Sequence, residues 1–142
     1  MLVRCLYASR AASPITPALL DAICETSRRN NPPQGITGLL CVSEDVFIQV
    51  LEGGRDEVCT LYNTIIADNR HQGVRLLAYA EISERQFGAW TMGQVSAAKL
   101  NPGLLLKYFR HPKLDPFDGP GAATLALLSE LVATASIAKR GE

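Results

Sequence analysis

No excess of charge of either sign marks this chain: 14 Lys and Arg balance 14 Asp and Glu, and the pI is about 6.7. That argues against nucleic acid or an anionic membrane surface as the main partner, since both are held by surplus Lys and Arg. No apolar run approaches the ~20 residues that span a bilayer. The opening "MLVRCLYASR" sets Arg4 inside its apolar stretch and has no small-residue cleavage pattern, so no signal peptide is expected. Cysteine is sparse: Cys5, Cys24, Cys41 and Cys59 form no C-x-x-C pair. The two histidines, His71 and His111, have no partner at metal-ligand or catalytic-triad spacing. The thiols therefore read as small core hydrophobes in a reduced, cytoplasmic protein. Internal repeats and low-complexity tracts are absent too.

What is present suits one globular domain. The 142 residues are 47% hydrophobic and 20% charged, enough to bury roughly two-thirds of the unfolded surface. "LVRCLYA" (2–8) alternates as a strand, with Val3, Cys5 and Tyr7 on one face. Residues 15–31 form a helix: Thr16 caps it, Pro17 fits its first position, and Pro32 and Pro33 stop it near Asn30. "GITGLLCV" (35–42) and "VFIQVL" (46–51) read as a hairpin joined by the three residues "SED". A second helix covers 55–67, and "DNRHQG" (68–73) is a polar turn. "VRLLAYA" (74–80) and "WTMGQVS" (90–96) are the last strand candidates.

The order β-α-β-β-α-β-β predicts an α+β, ferredoxin-like fold with a five-stranded mixed sheet. After residue 100, "NPGLLLKYF" and residues 121–138 read as two helices joined by a Pro/Gly-rich link. Leu125, Leu128, Val132 and Ala135 form an apolar seam on the second, which should dock on the sheet or at a subunit interface.

A few residues do not follow from packing. Gln49 stands in a strand of Val, Phe, Ile and Leu, where a buried amide without partners costs ~1–3 kcal/mol. Alone it reads as a structural hydrogen bond. Tyr7 alone is a core tyrosine, Asn30 and Asn31 are helix-end residues, Asp68, Arg70 and His71 a solvated turn, and Trp90 and Met92 core.

Together these stretches resemble the BLUF family, the blue-light sensors that use FAD. The likeness rests on "LYAS" (6–9), "NN" (30–31), "GITGLL" (35–40), "FIQVLEG" (47–53), "DNRH" (68–71) and "FGAWTM" (87–92), and covers residues 1 to about 96. It implies a flavin-binding unit over 1–96 and a helical extension over 97–142. The cofactor implied is FAD, with FMN possible after heterologous production. The photoactive residues implied are Tyr7, Gln49, Trp90 and Met92. By position, Asn30 and Asn31 would meet one polar edge of the flavin, and Asp68, Arg70 and His71 the other. Ile23, Ser27, Ile36, Leu39, Ile65 and Ile66 would line the pocket. At Thr64 some relatives have an arginine thought to meet phosphate, a role left here to Arg28 or Arg29. The resemblance implies a sensor rather than an enzyme. Because no effector domain follows, its output would pass in trans, through a homo-oligomer or a downstream protein.

Two other classes remain open. One is a non-photochemical ligand-binding module of the same fold. The other is an acylphosphatase-like hydrolase, which needs a phosphate-cradling loop, whereas "ASRAASP" has Arg10 but no glycine.

Overall fold

The computed structural model describes residues 1–133 and 138–139. Five strands form one mixed sheet: β1 (Leu2–Ala11), β2 (Thr37–Ser43), β3 (Val46–Gly54), β4 (His71–Ile82) and β5 (Gly93–Ser96). A two-residue β6 (Ala138–Lys139) pairs with the outer edge of β5, giving the order β4-β1-β3-β2-β5-β6. Among the first four strands each neighbouring pair is antiparallel, in the ferredoxin-like order, and β5 joins parallel to β2. The helices are α1 (Pro17–Asn30), α2 (Arg55–Ile66), α3 (Pro102–Tyr108) and α4 (Gly121–Ala133).

The sheet separates two apolar cores, because side chains alternate along each strand. Val3, Cys5, Tyr7, Leu40, Phe47 and Leu51 face α1 and α2. Leu6, Ala8, Leu39, Cys41, Ile48 and Val50 face the other way and meet Leu105 of α3 and Leu127, Leu128 and Leu131 of α4. The C-terminal helices thus pack on the second face of the sheet. Among the described residues, no helix is long and apolar enough to cross a membrane.

The start of α1 is set by Thr16, whose Oγ1 accepts from the Leu19 amide at 3.1 Å, with Pro17 behind it. Its end is set by Pro32 and Pro33, which open a 3-10 turn (Pro32–Gln34) closed by Gly35 at φ +68°.

Four local expectations are corrected. The β2–β3 connection is a two-residue turn, Glu44–Asp45, with Glu44 at φ +55° and Ser43 paired to Val46. Strand β4 starts at His71, because β1 runs on to Ala11 and offers Arg10 and Ala11 as partners for Gln72 and His71. Trp90 and Met92 precede β5 in a run of bends rather than lying on it, and the Trp90 carbonyl accepts from the Gly38 amide at 3.1 Å. On α4 the buried face carries Thr124, Leu127, Leu128 and Leu131, with Leu125 and Val132 at its margin. Ala135, like the rest of 134–137, lies outside the described residues, and Ala138 is in β6 rather than in the helix.

Candidate functional site

Strand register builds the floor of a cleft between α1 and α2. Tyr7 on β1 and Leu40 on β2 both sit directly opposite Gln49 on β3, so the three share one cross-sheet row on the α1/α2 face. Phe47 completes the floor. One wall comes from α1, through Ile23, Thr26, Ser27, Asn30 and Asn31, and the other from α2, through Leu61, Thr64 and Ile65. Asp68, Arg70 and His71 form the rim. The cleft holds a cavity of about 170 Å³ and is partly open to solvent.

The floor carries a buried hydrogen-bonded chain. The Tyr7 hydroxyl donates to Gln49 Oε1, and Gln49 Nε2 donates to the Met92 thioether at 3.3 Å. Tyr7, Gln49 and Met92 are all buried. Burial, with smaller contributions from Cys5, Tyr62 and Asp68, holds the Tyr7 phenol far above its usual pKa, so it stays protonated at working pH. The Tyr62 ring lies 5.7 Å from that of Tyr7.

At the rim, His71 Nε2 faces the Ile65 carbonyl at 2.5 Å. A carbonyl only accepts, so Nε2 bears the proton, and in the neutral ring Nδ1 accepts from Ser9 Oγ at 2.7 Å. Arg70 folds onto Asp68 through both carboxylate oxygens. That guanidinium bond holds the Asp68 carboxyl below its ordinary pKa, and Asp68 in turn raises that of Arg70.

Asn31 Nδ2 is a buried donor without a partner among the described residues. An unmet amide donor in the wall of a cleft suits a ligand with a ring carbonyl or nitrogen acceptor. A flat heteroaromatic of flavin type fits this donor set: apolar walls from Ile23, Leu61 and Ile65, a donor at Asn31, and Leu40 with the Tyr7–Gln49 pair below.

Tyr7, Ile23, Ser27, Asn30, Asn31, Gln49, Ile65, Asp68, Arg70 and His71 are thus brought together. Leu39 is not: it points into the opposite core, because the two-residue turn sets Leu40, not Leu39, across from Gln49. Ile66 is exposed, one helical step past Ile65. Ile36 is buried beneath an adjoining hollow rather than lining the cleft. Trp90 packs on the α3/α4 side, its indole nitrogen buried without a partner among the described residues. Arg28 and Arg29 line a separate open hollow with Glu25. Sequence reasoning missed Leu40, Phe47, Thr26 and Leu61; for Phe47, alternation from Gln49 was the available signal.

Comparison with known proteins agrees with this fold. The family model for BLUF, sensors of blue-light using FAD, matches residues 2–93. Photoactivated adenylate cyclase subunit beta of Euglena gracilis is 39% identical over 87 residues, 61% of this chain and 10% of that protein. The chain therefore spans about a tenth of the length of such curated relatives. Among solved structures, BlrB, a BLUF protein in its dark state, superposes with a TM-score of 0.80 at 30% identity, covering 94% of this chain and 96% of that one. The photo-activated state of BlsA gives 0.80 at 28%, covering 93% and 95%.

Proposed function

The chain belongs to the BLUF family, the sensors of blue-light using FAD, and from this premise we propose that Tyr7 and Gln49 are the photoactive pair of a photoreceptor whose flavin is FAD. One observation carries the reading: the buried chain from the Tyr7 hydroxyl through Gln49 to Met92, on the floor of the cleft. A bound flavin would supply absorption of blue light and, once excited, an oxidant for the phenol. Tyr7 would give up one electron and its hydroxyl proton and take both back, so no net reaction would remain. Because burial disfavours a phenolate there, the proton does not leave before the electron. Gln49 keeps the record. Its amide has a donor end and an acceptor end of nearly equal shape, so a changed orientation or tautomer exchanges partners at little steric cost. Asn31, with Asn30 close by, would hold one polar edge of the ring, and Asp68, Arg70 and His71 would hold the other.

Residues 1–96 are the flavin-binding unit in this proposal, and α3 and α4 within 97–142 receive the signal. Output passes in trans, to a second copy or a downstream protein. Exposed Leu76 and Tyr79 on β4 and Leu106 on α3 are apolar side chains that such a partner would cover. The adenylate cyclase named in the relatives belongs to those longer proteins.

The test is spectroscopic. The purified protein should be yellow, blue light should give a reversible red shift, and Gln49→Ala should abolish it. Mass spectrometry of the released cofactor should identify FAD. Protein that stays colourless after refolding with FAD, or a spectrum that light leaves unshifted, overturns the reading.

A further inference from the structure

Three residues beyond Gln49, on the opposite face of β3, Glu52 is fully buried. Its carboxylate accepts from the Phe87 amide at 2.6 Å, from the Gln86 amide at 3.0 Å, and from the Arg4 guanidinium at 2.7 Å. Arg85 binds in the other direction. Its Nη1 donates to Thr37 Oγ1 at 2.9 Å and to the Glu52 carbonyl at 3.2 Å, and its Nη2 donates to the Gly35 carbonyl at 2.7 Å.

Packing alone does not call for this. Ile48 and Val50 fill the same face with hydrocarbon, and a buried carboxylate is costly to desolvate unless its bonds are well made. What the charge supplies is direction, because it fixes two consecutive amides of one irregular segment. Arg85 ties that segment to the turn that follows Asn31.

The segment changes sides of the sheet. Phe87 and Trp90 pack into the core under α3 and α4, whereas Met92 is buried in the core under α1 and α2, its sulfur on Gln49. We propose that Glu52 and Arg85 are positioning residues that hold residues 85–92 so that the Met92 thioether is presented to the Gln49 amide. They thereby decide which partner that amide has in the dark. Neither lines the cleft. The proposal rests on Gln49 as the photoactive amide.

The chain has one tryptophan and two methionines, and Met1 is exposed whereas Met92 is buried. Methyl NMR of labelled methionine therefore reads Met92 directly in the full-length protein, without illumination. In Arg85→Ala, at a half-buried position, the Met92 methyl resonance should move toward that of Met1. Trp90 emission should shift, and Glu52→Gln, which keeps an acceptor oxygen, should do the same to a smaller degree.

In the flavin-loaded protein, Arg85→Ala should change the rate of dark return by about threefold or more. It should have no further effect in a Met92→Ala background, because residues acting through one contact are not additive. An unchanged Met92 resonance in both variants, or an Arg85→Ala effect that adds fully to Met92→Ala, overturns the proposal. Absence of flavin or of the red shift in the unmodified protein overturns the photoreceptor reading instead, and the Met92 resonance still tests the placement.

Discussion

Asn31 and Leu39 were both pointed at the flavin by the family likeness, yet they stand on opposite faces of the sheet. Asn31 lines the cleft, and its Nδ2 is a buried donor with no partner among the described residues. Removing a bond of that kind costs ~1–3 kcal/mol, so Asn31→Ala should weaken flavin affinity about tenfold or more while leaving the denaturant midpoint nearly unmoved. Leu39→Ala should do the reverse. It opens a void in the α3/α4 core worth ~2–5 kcal/mol of stability and should leave the affinity of the folded protein within about twofold. Flavin titration and urea unfolding on both variants check the pair, and loss of flavin from folded Leu39→Ala would contradict the face assignment.

Cys41, on the same face as Leu39, sets a pH dependence. Burial pushes its thiol from 9.0 up to about 12, and burial, with Cys59 nearby, pushes Cys5 to about 11. Raised thiol pKa values favour the folded state fully below pH 9, and that stability is lost as pH rises toward the folded values. The urea midpoint should fall above about pH 9, and less steeply in Cys41→Ala.

At the scale of elements, the β2–β3 hairpin shows what sequence resolves and what it does not. Its two strands were plain from their apolar runs, and so was α1 from Thr16, Pro17 and the Pro32–Pro33 stop. The connection was not: read as three residues, it pairs Val42 with Val46 and puts Leu39 opposite Gln49. The actual two-residue turn pairs Ser43 with Val46 and puts Leu40 there. Glu44 at φ +55° allows the tighter turn, and a non-glycine residue rarely signals that conformation in sequence. Trp90 and Met92 were misread for a different reason. Their spacing of two mimics a strand, but bonds from Glu52, Arg85 and Gly38 bend the segment, and no local pattern reports such long-range ties. The long, periodic elements were therefore legible, the site residues were reached only through the family likeness, and positions depending on register or on distant anchors were not legible.

Two glycines in this region carry a prediction. A Cβ on Gly38 would collide with the Val50 carbonyl across the ladder, so Gly38→Ala should cost ~1–3 kcal/mol and loosen the β2–β3 pairing. Gly35 is left-handed at φ +68°, and a Cβ there would meet Arg85 Nη2 at 3.9 Å, an ordinary contact, so Gly35→Ala should cost only the backbone penalty, ~1–2 kcal/mol. Urea midpoints give both values. Amide exchange should quicken along β2 and β3 for Gly38→Ala, and only around residues 31–36 for Gly35→Ala.

Across the whole molecule the central strands serve both cores at once: β1 sends Cys5 and Tyr7 one way and Leu6 and Ala8 the other, and β3 does the same with Phe47 and Leu51 against Ile48 and Val50. Neither core can loosen without disturbing the strands of the other. This matters for a sensor, because a hydrogen bond exchanged at Gln49 is worth only ~1 kcal/mol net. Such a change reaches α3 and α4 only if the sheet between them does not yield. A domain of this size has roughly 5–15 kcal/mol of total stability, so the change is a sizeable fraction of it. The coupling has a measurable consequence far from the cleft. Leu128 of α4 is fully buried against the sheet face opposite the cleft, and Leu128→Ala should cost ~2–5 kcal/mol. If the two cores share one cooperative unit, helix signal and flavin absorbance will be lost at the same urea concentration in the unmodified protein. Both will then shift together to the same lower midpoint in Leu128→Ala. Separate midpoints, with the flavin site outlasting α4, would mean that α3 and α4 unfold as their own unit. The sheet would then not be the rigid element through which Gln49 acts on them.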